Sequence, residues 1–465
     1  MNKPRDVRRL TAAGAILLSF AVSACGSVSA AVPADDGETC PSAPEGSEVT
    51  LTMSSWTPGV EDNVAYFNEN VGPRMDPKIQ VELNNVPGGN AGTYQQYSNQ
   101  IIAGSTGDIG MVEYAILPSY RLQQSLANIV NCPGVQEAKD DFSDAGLSAS
   151  TMGEADAMYG IPQDVGPLAM YYRADLFDEA GIPVPTTWEE YSEAATEVRA
   201  TGAHIGGFQF NSPAWFEGLA WQAGAQWFDS TDEGWVVTMT DEPTLKVADY
   251  WTGLVERDEV VQENTFSPGD WSDLDSGKLW TMIAPPWMST LLATNAPSSA
   301  GDWAVAPIPQ WTEGESATGM WGGSDYVVWS TSEYPAQAAQ FLLWLETSEE
   351  ALTVNVTAAG QFPAYEPALD TVPVLTEPLS IEGPDGEQVE YYGDDVIWET
   401  FGDLEASAQW QFGPTQAQTD ADLAAAFGAF SSGTGTIADA LRSVQESTED
   451  AIEAQGLTVV KQGSN

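Results

Sequence analysis

Aromatic side chains next to carboxylates are the residues of this sequence best suited to binding chemistry. The chain has 17 tryptophans, and many of them lie beside turns and strand ends. Trp56 follows a predicted strand, and Glu113 and Tyr114 follow another strand in the same way. Parallel strands expose their carboxyl ends at the ligand-binding edge of a sheet. Flat rings pack on the C–H faces of sugars and carboxylates accept hydrogen bonds from hydroxyl groups, so this pattern favours a carbohydrate cleft.

A secreted glycoside hydrolase is the alternative, because it would also combine tryptophans with carboxylates. With 68 acidic residues in the chain, a carboxylate pair has almost no specificity as a signal. The one histidine, His204, lies in a glycine-rich stretch and is interpreted as structural. No G-x-S-x-G or phosphate-loop motif is present. We therefore predict no enzyme, no cofactor and no metal site, although carboxylate-bound calcium remains an open alternative.

The first 24 residues have the features of an export signal. Four basic residues at positions 3, 5, 8 and 9 precede a short apolar run over 10–22, which is too short to span a bilayer. Val22-Ser23-Ala24-Cys25 is similar to the lipobox of bacterial lipoproteins, which predicts lipid on Cys25 and anchoring to the outer face of the membrane. An ordinary signal peptide with a chance cysteine is the alternative. Residues 25–47, rich in Ser, Ala, Pro, Asp and Gly, are predicted to form a flexible tether.

The other two cysteines are predicted to form a disulfide. Cys40 and Cys132 would lie in an oxidising compartment, which favours pairing. The loop that they would close is long, and chain entropy sets a ceiling of about 4–5 kcal/mol on the stabilisation. Two unpaired thiols are the alternative.

The net charge excludes some partners. It is −53 for the whole chain and −56 without residues 1–24, which contain four basic residues and one acidic residue. Such a surface repels nucleic acid and anionic membranes, so lipid would be the sole membrane contact. The acidity would also suit a receptor for polyamines or other cations, with cation–π contacts to the tryptophans. We expect a monomer.

The order of the predicted elements indicates the fold class. The chain after residue 24 has roughly 440 residues, which suggests two lobes with substantial cores. The predicted order is strand 49–53, helix 61–70, strand 79–83, helix 94–103 and strand 108–112. This order is the pattern of a parallel α/β sheet. Further helices are predicted at 174–180, 188–199, 336–345 and 437–452, and the second of these begins with the capping-box residues Thr187 and Glu190.

A family resemblance rests on two adjoining motifs, YGIPQD at 159–164 and MYYRADLF at 170–177, with AGI at 180–182 and PTTWEE at 185–190. This signature resembles that of the family 1 extracellular solute-binding proteins of ABC importers, which are maltose-binding-protein-like. Flanking motifs at 102–109, 277–287, 321–324 and 361–364 follow in the family's order. The family often has Asn where this chain has Arg173, and we expect that cation at the surface rather than in the cleft.

The resemblance implies a periplasmic-binding-protein-like α/β fold of two lobes joined by a hinge, with the ligand cleft between them. The first lobe would comprise 48–161 and 324–375, and the second 165–318 and 385–460. The crossings would lie near 161–165 and 308–326, with a third crossing after 367. The implied function is an extracytoplasmic lipoprotein that captures a sugar, an oligosaccharide by preference, and delivers it to the permease of an ABC importer.

The resemblance also adds residues to the predicted site. Gln163 and Asp164 would lie at the hinge, whereas Trp215 and Trp287 match aromatic positions that contact sugar in the family. The full addition is Gln163, Asp164, Trp215, Trp287, Trp321, Gly322, Gly323, Ser324 and Asp325. Each could instead serve the core or an unusual backbone angle. Core positions are predicted for Trp188, Trp251, Trp280 and Trp344, and the roles of Phe362 and Trp410 stay open.

Overall fold

The computed structural model describes residues 39–85, 89–382, 387–405 and 411–461. All of them belong to one compact unit. The predicted signal sequence, Cys25 and Trp410 lie outside the described residues. Within the described part of the chain, no helix is both long and apolar enough to cross a membrane.

The strands alternate with helices along most of the chain. The strands are β1 (Glu48–Ser55), β2 (Lys78–Asn85), β3 (Ile109–Glu113), β4 (Gly160–Val165), β5 (Ala169–Arg173), β6 (Gly206–Gln209), β7 (Phe228–Thr231), β8 (Gly234–Val237), β9 (Val260–Glu263), β10 (Thr281–Ala284), β11 (Trp303–Pro307), β12 (Ser324–Val328), β13 (Phe362–Pro363), β14 (Ser380–Glu382) and β15 (Gln388–Glu390). The predicted strands at 49–53, 79–83 and 108–112 correspond to β1, β2 and β3.

The helices cover the faces of the sheets. They are α1 (Val60–Asn70), α2 (Gly89–Ala103), α3 (Leu117–Leu122), α4 (Val135–Ala138), α5 (Asp144–Thr151), α6 (Ala174–Ala180), α7 (Trp188–Thr201), α8 (Pro213–Gln222), α9 (Glu242–Glu256), α10 (Pro268–Asp275), α11 (Met288–Asn295), α12 (Pro335–Thr347), α13 (Glu349–Ala359), α14 (Ala368–Thr371), α15 (Ile397–Glu405), α16 (Gln416–Ser431) and α17 (Ile437–Ala454). The capping box of Thr187 and Glu190 begins α7 as predicted.

Six strands form the main sheet, in the order β13-β4-β12-β3-β1-β2. β1 is parallel to β2 and β3, whereas β12 runs antiparallel between β3 and β4. The carboxyl ends of β1, β3 and β4 therefore meet the amino end of β12 at one edge. Buried apolar residues on both faces of these strands, such as Leu51, Val112 and Val327, explain why helices cover both sides.

A second sheet has the order β10-β5-β11, with both outer strands antiparallel to β5. The chain leaves the main sheet after β4 and enters the second sheet at β5. It returns between β11 and β12, and it leaves again between β13 and α15, which packs on β5 and β11. The polypeptide thus passes between the two sheets three times.

The stretch before β1 is fixed to the domain rather than free. A disulfide joins Cys40 to Cys132, and the backbone N–H of Ala43 donates to Gln337 Oε1 at 3.0 Å. Ala43 itself is buried. The tether predicted over 25–47 therefore does not include 40–47, because the disulfide and the polar contacts with α12 hold these residues in place.

Arg173 is a second departure from the sequence-based expectation. The residue is buried instead of exposed, and its guanidinium lies 2.7 Å from Asp175 and 3.4 Å from Asp302. Two carboxylates beside one cation compensate for its burial. Of the tryptophans predicted as core, Trp188, Trp251 and Trp280 are buried, whereas Trp344 is half-buried and packs its ring on Phe67. Phe362, whose role was open, is also buried.

Candidate functional site

Three polar residues form a row along the edge of the main sheet where the parallel strands end. Ser324 at the start of β12 lies opposite Glu113 at the end of β3 on one side and Asp164 of β4 on the other. The backbone N–H of Ser324 donates to Asp164 Oδ1 at 3.0 Å. The pKa of Asp164 is raised to about 7, mainly by burial and in part by the nearby charge of Glu113, whereas the Ser324 hydrogen bond lowers it. The row therefore brings together acidic side chains from β3 and β4, the strands on either side of β12.

Trp56 extends this row towards β1 through a tyrosine that the sequence did not suggest. Tyr94 of α2 packs edge-on against Trp56, with ring centroids 5.5 Å apart. Its hydroxyl donates to Glu113 Oε2 at 2.8 Å and accepts the backbone N–H of Glu113 at 2.9 Å. Burial and the charge of Glu113 raise the pKa of Tyr94 well above its ordinary value. Trp56, Tyr94 and Glu113 are thus positioned together.

The glycine pair before β12 separates two aromatic rings. Gly322 and Gly323 have φ values of 85° and 93°, a backbone region that other residues rarely adopt. A Cβ on Gly323 would come within 2.6 Å of the Tyr114 ring, and one on Gly322 would lie 3.2 Å from Trp287 Nε1. The pair therefore lets the chain pass closely between Tyr114 and Trp287.

Trp287 belongs to a group of four rings, here called the aromatic platform: Phe266, Trp271, Trp287 and Trp321. The rings of Trp287 and Trp321 meet edge-on at 5.1 Å, and the indole N–H of Trp287 donates to the backbone oxygen of Trp321 at 3.3 Å. Trp287 and Trp271 are half-buried, and Phe266 is 47% exposed. The platform thus offers partly accessible ring faces, as sugar binding requires. Sequence reasoning found Trp287 and Trp321 but not the other two.

Seven predicted site side chains are buried: Tyr114, Gln163, Asp164, Trp215, Trp321, Ser324 and Asp325. Three of these have their contacts in the packed interior. Trp215 is buried, packs edge-on against Trp251 at 4.7 Å and donates its indole N–H to the oxygen of Ile283. Asp325 is fully buried because strand alternation points it to the opposite face from Ser324. Gln163 donates from Nε2 to Thr57 Oγ1 at 3.3 Å, also within the interior. The structure does not bring Trp215 or Asp325 to the edge row or to the aromatic platform.

A cavity of about 1090 Å³ lies next to the edge row, because Tyr114, which follows Glu113 in the chain, is one of its lining residues. Its walls come from α3 and α5 on the side of the main sheet and from α8, β7 and β8 on the other side. Many lining residues are aromatic: Tyr114, Trp221, Trp227, Phe228, Trp235 and Phe412. Arg121 is the one basic residue among the described lining residues. Its guanidinium group lies 3.5 Å from Glu154 and 4.8 Å from the centroid of the Tyr159 ring.

A pair of carboxyl groups close to this cavity was not predicted. Gln416 Nε2 donates to Glu217 Oε1 at 3.0 Å and to Asp420 Oδ1 at 2.7 Å, which links α8 to α16. Burial raises the pKa of Glu217 well above its ordinary range and that of Asp420 to about 6, and the charge of Glu113 adds to the shift at Asp420. Ser119 Oγ donates to the oxygen of Pro414 at 3.1 Å, which brings the start of α16 against α3.

The chemical capacity of the site follows from these groups. Carboxylates accept hydrogen bonds, and the rings offer apolar faces, so hydroxyl-rich or cationic ligands would be complementary to them. In the described ranges, no group of three or more His, Cys, Asp or Glu side chains is arranged to hold a metal ion.

Comparison with known proteins gives a family match. The sequence profile of the bacterial extracellular solute-binding proteins matches residues 57–352. An arabinooligosaccharide-binding protein of Halalkalibacterium halodurans is 25% identical over 249 residues, or 51% of this chain and 53% of the relative. The chain thus spans about half the length of that relative. A lactose-binding protein of Rhizobium radiobacter is 24% identical over 78% of this chain and 83% of the relative.

A solved structure shows the same fold. The ABC transporter-associated binding protein of B. animalis subsp. lactis, in complex with β-1,6-galactobiose, has a TM-score of 0.76 at 24% identity. The alignment covers 89% of this chain and 99% of that one. This similarity confirms the predicted fold class, a periplasmic-binding-protein-like pair of α/β lobes.

Proposed function

The chain belongs to the bacterial extracellular solute-binding proteins, and we propose that it captures a sugar, preferably an oligosaccharide, for an ABC importer. The observation that carries this proposal is the edge row beside the aromatic platform. Glu113 and Asp164 supply hydrogen-bond acceptors, and Trp287 supplies a half-buried ring within contact of the glycine pair. Relatives that bind arabinooligosaccharides and lactose support a carbohydrate ligand.

Capture is reversible and breaks no bond. We propose that the first lobe comprises 48–161 and 324–375 and the second 165–318 and 385–460, a division that the three passages of the chain between the sheets support. Glu113 of the edge row lies on the first lobe, Asp164 lies at the hinge and Trp287 lies on the second lobe, so a ligand touches both lobes only when they close. Closure is then stabilised by the ligand's contacts with the closed form.

Delivery requires the protein to stay near its importer. We propose that residues 1–24 are a signal peptide and that lipid on Cys25 anchors a monomer to the outer face of the membrane. The segment before Cys40 serves as the tether. The closed, loaded form then presents the sugar to the permease.

A cation receptor is the second candidate, favoured by the carboxyl groups of Glu113, Asp164 and Asp420. These groups influence one another electrostatically, as the pKa of Asp164 and that of Asp420 are both raised by the charge of Glu113. A polyamine would relieve that repulsion. The half-buried indole of Trp287 could contact either ligand, so a direct test must include both.

Calorimetric titration of the chain from residue 26 onwards distinguishes these candidates. The titrants are arabinotriose, lactose, β-1,6-galactobiose and spermidine, and chromatography afterwards checks whether each sugar is intact. We expect saturable one-site binding of at least one sugar and its recovery unchanged. A response to spermidine alone would change the ligand class, and cleaved sugar would indicate a hydrolase instead.

A further inference from the structure

Phe266 has an unusual combination of exposure and backbone conformation. Its side chain is 47% exposed, and its φ angle is 68°, in the left-handed region. A bulky residue rarely adopts this region, because its Cβ approaches the backbone too closely. Among the described residues, three other non-glycine residues have positive φ, at positions 124, 152 and 258, and all three follow the ends of helices. Helix ends commonly use this conformation, but Phe266 precedes a helix.

The residues on both sides hold Phe266 in this conformation. The backbone N–H of Thr265 donates to Asn211 Oδ1 at 2.8 Å, and Thr265 Oγ1 donates to Gln209 Oε1 at 3.2 Å. On the other side, Ser267 begins α10 with a reciprocal capping box to Asp270. Because both neighbours are fixed, the strained backbone of Phe266 is imposed by its surroundings and sets the direction of its ring.

The ring points to the other members of the aromatic platform. Its centroid lies 6.3 Å from that of Trp271, 6.2 Å from that of Trp287 and 6.3 Å from that of Trp321. Exposing an apolar ring on a strained backbone does not stabilise the fold. Strain of this kind is typical of functional positions, where the surrounding structure maintains it.

We propose that Phe266 is a ligand-contacting residue that determines the affinity of the sugar site. Its ring enlarges the half-buried apolar surface of Trp287, so that the bound sugar packs against both rings, while the buried Trp321 packs against them. This inference rests on the proposed function. It adds a contact that comes from the loop before α10.

Four variants test the inference, with the tightest-binding sugar among arabinotriose, lactose and β-1,6-galactobiose as titrant. We expect Phe266→Ala and Phe266→Gly to weaken binding about 10-fold, because each removes one ring from the contact. Phe266→Tyr keeps the ring and should bind within about twofold of the unaltered protein. The matched control is Tyr66→Ala, since Tyr66 is 42% exposed and stacks on Trp344 elsewhere in the fold; its affinity should not change.

Thermal unfolding of the same variants separates binding from folding. Glycine tolerates the left-handed backbone, so Phe266→Gly should melt about 1–2 °C above Phe266→Ala while binding equally weakly. The proposed contact between Phe266 and the sugar would be overturned if Phe266→Ala bound the sugar with unchanged affinity. It would also be overturned if Phe266→Tyr lost as much affinity as Phe266→Ala. A Phe266→Gly variant that melts no higher than the alanine variant would overturn the strained conformation. If the unaltered protein bound no sugar, the proposed function would fail first, and the inference with it.

Discussion

Replacing Trp287 with alanine should weaken sugar binding by about 10- to 100-fold, which corresponds to roughly 1–3 kcal/mol. The indole is half-buried, and its ring meets that of Trp321 at 5.1 Å. The variant removes a half-buried ring face of the platform, and the hydrogen bond that the indole donates to the Trp321 oxygen is long, at 3.3 Å. The fold should therefore survive the substitution. Calorimetric titration and circular dichroism measure the two effects separately.

Trp344→Ala is the matched control, because Trp344 is also half-buried but packs on Phe67 of α1 and on Phe341 of its own helix α12. Its loss should lower the melting temperature and leave the affinity for sugar unchanged. Affinity that stayed constant in Trp287→Ala, or that fell equally in Trp344→Ala, would remove Trp287 from the site.

Stability should fall as the pH rises from about 4 to about 8, because buried carboxyl groups must stay protonated in the folded protein. Burial raises the pKa of Asp164 to about 7 and that of Asp325 to about 8. In an unfolded chain both groups titrate near pH 4. Between these values the folded state binds more protons than the unfolded state, so the free energy of unfolding decreases with increasing pH. The contribution of these two carboxyl groups to stability is fully present below about pH 4. It is lost as the pH rises through their pKa values in the folded protein.

Glu346 offers the sharpest test of this pH dependence. It is fully buried on α12, and neither carboxyl oxygen has a hydrogen-bond partner among the described residues. Burial, followed by the charges of Asp164 and Asp325, raises its pKa well above the ordinary range. We expect Glu346→Leu to raise the free energy of unfolding by about 2 kcal/mol at pH 8 and by much less at pH 4, since it removes an uncompensated acid.

Urea denaturation at pH 4 and pH 8 measures both values. The matched control is Glu350→Leu, which replaces an exposed acid on the neighbouring helix α13 and should not change the pH dependence. Equal stabilisation by Glu346→Leu at both pH values, or destabilisation at pH 8, would contradict a buried and protonated Glu346.

The sequence was sufficient for the fold class, because its signals are local or depend on the order of motifs. Alternating apolar residues predicted β1, β2 and β3, and the capping box of Thr187 predicted the start of α7. The resemblance carried by YGIPQD and its neighbouring motifs is confirmed by the family match over 57–352.

The candidate site was predictable only in part, because side-chain direction depends on register and tertiary packing. Asp325 follows Ser324 directly, but successive side chains of a strand point to opposite faces, so the Asp325 side chain lies in the core. Trp215 lies beside a turn, as a site residue would, but its helix buries it against Trp251. Phe266 carries no sequence signal at all, since a left-handed phenylalanine is imposed by Thr265 and Ser267 and their partners. Asp420 was hidden among 68 acidic residues.

Small-angle X-ray scattering tests most directly whether the protein closes on an intact sugar. The chain from residue 26 onwards would be measured without ligand and with a saturating amount of the sugar that it binds. We predict a smaller radius of gyration in the presence of the sugar, which is recovered intact afterwards. Saturable binding with an unchanged radius of gyration would contradict capture between two closing lobes.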